Sequence, residues 1–475
     1  MSSVRRIAKN FFSLSIGQII SQFVTFLAVV YLARVLGTAN FGKLSFAQAT
    51  VTYFLLISEL GLSTLGIREV ARHRDKLNNY VDNILTLRLC LAFFSFCLLL
   101  LFTVLINKSI EIKYLIIFYG LSLFPSALLM EWFFQGVEKM EFVGVSKILN
   151  RSLYVILVFI LIKNNKQLLL VPYLWLAGII SSVGFLLCIF IKQVGRMKLV
   201  FNFPFWKELL YTALPMGFAW MMIQIYNNFD TIMLGFMKTD EVVGWYNAAY
   251  KVIFFVFMLG GCYITTIFPV VSRYYKESSD RLSVLLSHSA KLMIAISLPL
   301  GIGGTILGKP LMRLFYGTQY DNGIIAFQIL IWYVVISFIC MIYANSLLAC
   351  NKERKYAVGV MLAAITNLIL NIFLIPPFGL KGAAIATVAA EGSLFVYAYT
   401  EFQKIRKVEF KKYLLSPLIS ASLMGGFLYL NVNWNLFLLI VSGMVIYTAT
   451  LFLTKGISQN DLILAKGYLL GKGRE

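Results

Sequence analysis

Cysteine, histidine and acidic side chains are scarce in this chain, and each shortage excludes something. Its 475 residues hold 6 Cys and 2 His. Cys90, Cys97, Cys188, Cys262, Cys340 and Cys350 lie in or at the ends of apolar runs, without CxxC spacing. They read as small buried hydrophobes rather than as metal or redox groups. His73 sits in a basic loop and His288 near the start of an apolar run. Neither has a ligand partner at helical spacing, so zinc chemistry has no basis. The stretch GGTILGKP from Gly303 imitates a phosphate-binding loop, but Pro310 stands where Ser or Thr is required. No connection between apolar runs is long enough to hold a folded catalytic domain.

Apolar residues are what the chain has. They make up 60% of it, against 13% charged, and mean hydropathy is +0.81. A water-soluble protein of this length could not cover that surface, so the solvent is a bilayer. The formal net charge of +21 suggests nucleic acid. The Lys and Arg, however, sit in short loops between apolar runs, as in the positive-inside pattern, and no nucleic-acid partner is expected. The N-terminal SSVRRIAKN precedes a run too long for a signal peptide, with no A-x-A site after it. It is read as the cytoplasmic anchor of a retained first span.

The organising stretch is a helical hairpin from Phe11 to Gly66. Each arm has more than 20 largely apolar residues, and the short Gly-rich break TANFG joins them as antiparallel neighbours. A similar hairpin returns from Leu209 to Pro269. Gly37 and Gly42 flank the first turn, and Gly235 and Gly244 the second. Further pairs support a duplication at offsets of roughly 200–215 residues, the internal symmetry of transporters. FFQGVEKMEFVGV around Gly136 matches LLACNKERKYAVGV around Cys350, and AGIISSVGF at Ala177 matches AIATVAAEGS at Ala384.

The expected fold is therefore all-α and integral to the membrane, because an unpaired backbone cannot face lipid. About fourteen spans are expected, at roughly 11–36, 40–66, 81–106, 113–135, 142–162, 168–191, 208–236, 243–271, 283–307, 324–350, 355–375, 380–402, 413–431 and 435–454. Two six-helix lobes, 1–200 and 201–404, precede two additional helices and a tail over 405–475. Pro125, Pro215 and Pro299 predict kinks. With the N-terminus inside, 28 of the 42 Lys and Arg fall on inner segments and 9 on outer ones. Both termini are thus expected in the cytoplasm.

Nine ionisable residues lie within spans: Arg34, Arg88, Arg151, Lys251, Lys291, Glu59, Glu131, Asp230 and Glu391. Each costs at least about 2.5–3.5 kcal/mol unless it faces a partner or a polar cavity. Arg34 and Glu131 lie near span ends, where snorkelling or pairing with a loop cation accounts for them. Arg88, Arg151, Lys251 and Lys291 are deeper and come from both lobes. If they converge they line a cationic cavity suited to a pyrophosphate; the alternative is a set of buried pairs such as Arg88 with Glu59. A second group offers oxygen ligands: Asp230, Asn367 and Asn371 at i, i+4, and Thr387. It suits a hard monovalent cation, or equally hydrogen bonds between helices.

The N-terminal KNFFSLSIGQIISQFVTFLAVVYLARVLGTANFGKLSFAQ resembles the MOP exporter superfamily, and within it the Wzx-type polysaccharide flippases. So do ELGLSTLGIREVAR from Glu59, LPMGFAWMMIQIYNNFDTIMLGF and FGLKGAAIATVAAE. The resemblance implies two six-helix lobes, alternating access, and no enzymatic activity. Its substrate class is a polyprenyl-pyrophosphate-linked oligosaccharide, turned from the inner to the outer leaflet of the cell membrane. It also implies a sodium site on spans 7, 11 and 12, with Asp230, Asn367, Asn371 and Thr387 as ligands and the Ala383 carbonyl as a further donor. Asn371 stands where a carboxylate is expected, so this site carries one negative charge fewer. Na+ or H+ is the implied coupling ion, and no cofactor is implied. Membrane lipids surround the protein, and a polysaccharide polymerase and glycosyltransferases are the expected functional partners. A multidrug exporter of the same fold is the main rival, and acidic residues should then dominate the cavity. A polymerase or membrane glycosyltransferase should have a long outer loop, which is missing.

Overall fold

The computed structural model describes residues 3–74, 77–408 and 410–456; side chains are described from residue 22 onward, except those of 219, 279 and 412. Among the described residues there are helices and no strands. Hydrogen bonds closed within each helix satisfy the backbone without water, which lipid demands. Among the described residues, eleven segments are long and apolar enough to cross a membrane, or twelve if one bent pair is a single span. The expected number of fourteen is therefore approximate. The difference has two sources. The segment Gln22–Arg72, 51 residues long, holds both arms of the expected first hairpin. The helix Leu415–Leu430 is apolar but only 16 residues long.

Packing groups the chain into two units, Met1–Gly244 and Trp245–Glu475. Unit 1 begins with α1 (Ser3–Glu59), broken at Gly37, where φ is 78° and ψ 172°. That backbone region favours glycine, which is why the arms part there. α1 ends at Leu60 and Gly61, both at positive φ, and α2 (Leu62–Arg72) follows. α3 (Leu77–Leu105) is continuous. The fourth expected span is broken into α4 (Ile110–Gly120), α5 (Leu123–Ala127) and α6 (Glu131–Gly136). Pro125 lies inside α5 and has no N–H to continue the ladder. α7 (Met140–Leu161) and α8 (Val171–Gln193) pack against one another, with Ser146 and Ser182 hydroxyls 2.6 Å apart between them.

α9 (Phe203–Met237) packs on α1 and α2. It contains Pro215 and bends by 42° between Phe218 and Trp220. Gly217 of α9 meets the α1–α2 break directly: a Cβ on Gly61 would lie 2.5 Å from the Gly217 nitrogen. Trp132 of α6 is buried, with its ring against Gly66 of α2 and beside Phe133, where α2 packs on α6.

Unit 2 is built from α10 (Asp240–Glu277, which begins at the edge of unit 1), α11 (Ser279–Tyr316), α12 (Ile324–Ala349), α13 (Glu353–Phe378) and α14 (Leu380–Gln403). α12 packs on both α11 and α14, and α13 on α14. The α13–α14 turn is tight: a Cβ on Gly382 would lie 2.2 Å from the Leu374 carbonyl oxygen. α15 (Leu415–Leu430) and α16 (Leu436–Leu453) lie against α11, where the Tyr447 hydroxyl donates to the Ala295 carbonyl at 2.6 Å. Between α14 and α15, Val408 is buried. Its carbonyl accepts from the Tyr343 hydroxyl at 3.2 Å and its N–H donates to the Gln403 side chain at 3.2 Å.

Candidate functional site

In unit 1 four of the in-span charges, Glu59, Arg88, Glu131 and Arg151, interact through space from α1, α3, α6 and α7. Arg88, the twelfth residue of α3, is only 5% exposed. Its guanidinium donates to the Ser126 carbonyl at 2.9 Å and to the Leu129 carbonyl at 3.2 Å. Ser126 is in the last turn of α5, where its carbonyl also accepts from the Leu129 N–H at 3.2 Å, and Leu129 lies in the gap before α6. Arg88 thus satisfies the backbone that the break exposes, and the Glu59 carboxylate lies within electrostatic reach of it. Glu131, at the start of α6, pairs with Lys147 of α7 at 3.6 Å, and Arg151 and Glu59 act on it through space.

Arg151 stands at the middle of α7, twelfth of its 22 residues. It is half-buried, and its guanidinium lies 4.9 Å from the centroid of the Trp175 ring on α8. A cation over an indole face is held by the ring quadrupole and keeps its N–H groups directed along its own plane. Arg34 is exposed on the first arm of α1, three residues before the Gly37 break.

Lys251 on α10 and Lys291 on α11 are half-buried and belong to unit 2. Lys251 follows Tyr250 in an aromatic row, Tyr246, Tyr250, Phe254 and Phe257, with neighbouring ring planes 18–25° apart.

The oxygen group divides in the same way. Asp230, in the second half of α9, is 2% exposed and acts through space on Tyr53, whose hydroxyl donates to the Gln224 carbonyl. Asn367, Asn371, Ala383 and Thr387 are all buried in unit 2. The Asn371 amide donates to Asn367 Oδ1 at 2.9 Å. Thr387 Oγ1 donates to the Ala383 carbonyl at 3.0 Å and lies 3.1 Å from the Tyr246 hydroxyl. α13 and α14 therefore present amide, hydroxyl and carbonyl oxygens on packed neighbouring helices. Glu391, one turn along α14 from Thr387, is 4% exposed and lies within electrostatic reach of the Cys340 thiol of α12.

Three participants were invisible in the sequence: Trp175 under Arg151, Tyr246 beside Thr387, and Cys340 beside Glu391. Each lies on a different helix from its partner, and no spacing links them.

Residues 7–275 match the family described as polysaccharide biosynthesis protein, more than half of the chain. The chain belongs to this family. A second family, MatE, matches residues 215–376. A protein of Escherichia coli (strain K12), named provisionally as an O-antigen transporter, is 24% identical over 391 residues, 81% of this chain and 93% of its own. A solved structure of the lipid II flippase MurJ, in an inward closed conformation, has a TM-score of 0.79 at 16% identity and covers 95% of this chain and 99% of its own. An inward-facing multidrug resistance transporter of the MATE family has a TM-score of 0.64 at 16% identity, covering 81% and 95%. The fold of this multi-pass membrane protein is thus the one shared by MurJ and MATE transporters.

Proposed function

We propose that this protein is a flippase. It moves a polyprenyl-pyrophosphate-linked oligosaccharide from the cytoplasmic to the outer leaflet of the cell membrane by alternating access, for the synthesis of a surface polysaccharide. The observation that carries this reading is Arg151 on Trp175, a cation and a flat aromatic face side by side at the centre of a span. A guanidinium recognises phosphate through paired N–H donors, and an indole stacks on sugar rings. Few other substrates need both inside a bilayer. Arg34 of unit 1, and Lys251 and Lys291 of unit 2, are proposed as further substrate-binding cations, and Arg88 to hold the wall from which Glu131 and Arg151 project. The relationship to a protein named for O-antigen transport supports the substrate class, and both termini are assigned to the cytoplasm by loop charge.

The physics fits the assignment. A sugar-pyrophosphate head cannot cross hydrocarbon unaided, whereas a polyprenyl tail never needs to leave it. Coupling to Na+ or H+ is proposed for two groups of hard oxygen donors, Asp230 in unit 1 and, in unit 2, Asn367, Asn371, Thr387 and the Ala383 carbonyl. One charge moved across 100 mV supplies about 2.3 kcal/mol. The polysaccharide polymerase and glycosyltransferases of the same assembly line are its proposed partners.

The test is a strain lacking the protein. Lipid extracts and leaflet labelling should show lipid-linked oligosaccharide trapped on the inner leaflet, released by the wild-type chain and not by Arg151→Ala. The absence of trapped intermediate, with raised sensitivity to cationic drugs, would assign the protein to multidrug export and make Asp230 and Glu391 its central residues.

A further inference from the structure

Two connections of unit 1 border an open polar pocket that the proposed translocation path does not use. One joins α3 to α4 and the other joins α9 to α10. The pocket has a volume of about 510 Å³ and is lined by Asn107, Lys108, Ser109, Lys238, Thr239 and Asp240, with Ile112 as the one apolar residue. That volume falls within the range of small-molecule sites, about 300–1,000 Å³.

The pocket is built rather than incidental. The Lys108 ammonium donates to the Gly235 carbonyl and lies 5.5 Å from the centroid of the Phe46 ring. Gly235 itself is pressed on Phe46, so close that a Cβ would be 2.1 Å from the ring. The lysine is thereby fixed in position, and an ammonium has three donors, of which the Gly235 carbonyl takes one. Lys238 supplies a second cation from the opposite connection. α4 and α10 both begin at this pocket, at Ile110 and Asp240, and bring their unbonded first-turn N–H groups to its edge.

We infer that this pocket is a binding site for a sugar phosphate. The mixture of groups selects the class. A site for phosphate alone has no use for the Asp240 carboxylate, which repels it. A site for a neutral sugar has no use for two lysines. Phosphate on Lys108 and Lys238, with sugar hydroxyls on Asn107, Ser109, Thr239 and Asp240, uses every polar side chain of the lining. The two connections follow the third and seventh spans, so they lie on the face opposite the N-terminus. Resting on the flippase reading, the site receives the glycosyl-phosphate end of the substrate on the outer face. The same chemistry in a soluble sugar phosphate would make it a sensor of free precursor.

The experiment uses the purified full chain in lipid nanodiscs and calorimetric titration with glucose 1-phosphate, glucose and inorganic phosphate. Glucose 1-phosphate is expected to bind at least tenfold more tightly than either of the others. Lys238→Gln is expected to weaken it at least tenfold, and binding should fall as salt rises. Lys108→Gln also removes a packing contact, so Asn107→Asp, which adds a negative charge to the pocket, serves as the second variant. Equal binding of glucose, or an affinity unchanged in both Lys238→Gln and Asn107→Asp, would overturn the site. Displacement of glucose 1-phosphate by a polyprenyl-pyrophosphate-linked sugar supports the site and identifies the lipid as its source; no displacement supports it with a soluble source. Leaflet labelling of the same variants separates the two proposals. Binding without any translocation by the wild type would remove the flippase reading alone. Normal translocation by a wild type that does not bind would remove the pocket alone.

Discussion

Gly42 and Gly244 are packed backbone against backbone. A Cβ on Gly42 would lie 1.7 Å from the Asp240 carbonyl oxygen and 2.9 Å from the Gly244 nitrogen; one on Gly244 would lie 2.1 Å from the Thr38 carbonyl oxygen. These glycines occupy equivalent positions in the two similar hairpins, each just after its turn. Each hairpin therefore forbids a side chain at the place where it meets the other. Gly42→Ala and Gly244→Ala should each lower stability by about 1–3 kcal/mol, the usual cost of forcing extra atoms into a tight contact. The double variant should lose less than the sum, because the first substitution already parts the same two segments. Thermal unfolding in detergent measures this, and strict additivity would refute a shared contact.

Arg88 and Arg151 should respond differently to truncation. Arg88→Ala removes the charged donor of the Leu129 carbonyl and one of the two donors of the Ser126 carbonyl, and takes a cation away from Glu59, so abundance and thermal stability should fall. Hydrogen bonds to charged groups contribute about 1.5–3 kcal/mol each. Arg151→Ala loses mainly a cation–π contact, about 0.5–2 kcal/mol, and should remain near normal abundance while transport fails. Immunoblots of membranes beside the leaflet assay distinguish the two. A stable Arg88→Ala that fails only in transport would show that its guanidinium meets substrate.

Trp175→Leu keeps the volume of α8 largely apolar but removes the indole face. Transport should drop by at least several-fold while the protein still inserts. Trp175→Phe should restore part of it, since a phenyl face is a weaker cation and sugar platform. Equal activity of the Leu and Phe variants would mean that the ring only fills space.

Asp230→Asn should abolish ion dependence if this carboxylate couples transport. Transport rates across a sodium series at fixed pH, and across pH at fixed sodium, read this directly. Rates that are independent of both ions in the wild type would sink the coupling assignment. Asn371→Asp, which adds a negative charge beside Asn367, should strengthen sodium dependence in the same assay.

The sequence by itself determined the solvent, the helices and most of the punctuation of this protein. Apolar runs of bilayer length admit only helices, because lipid offers no hydrogen bonds to a bare backbone. Gly37 marked the first turn because few other residues adopt its backbone angles, and Pro125 lay within the broken fourth span because it lacks an N–H. Tertiary structure decided what the buried charges do. Arg88 lies 38 residues from the Ser126 carbonyl it holds, and Arg151 lies on a different helix from Trp175. The pocket of Lys108 and Lys238 joins loops more than 120 residues apart. Hydrophobic periodicity relates a residue only to neighbours three and four positions away on its own helix. Which face of one helix meets which face of another depends on packing between all of them at once, and that information exists only in the folded chain.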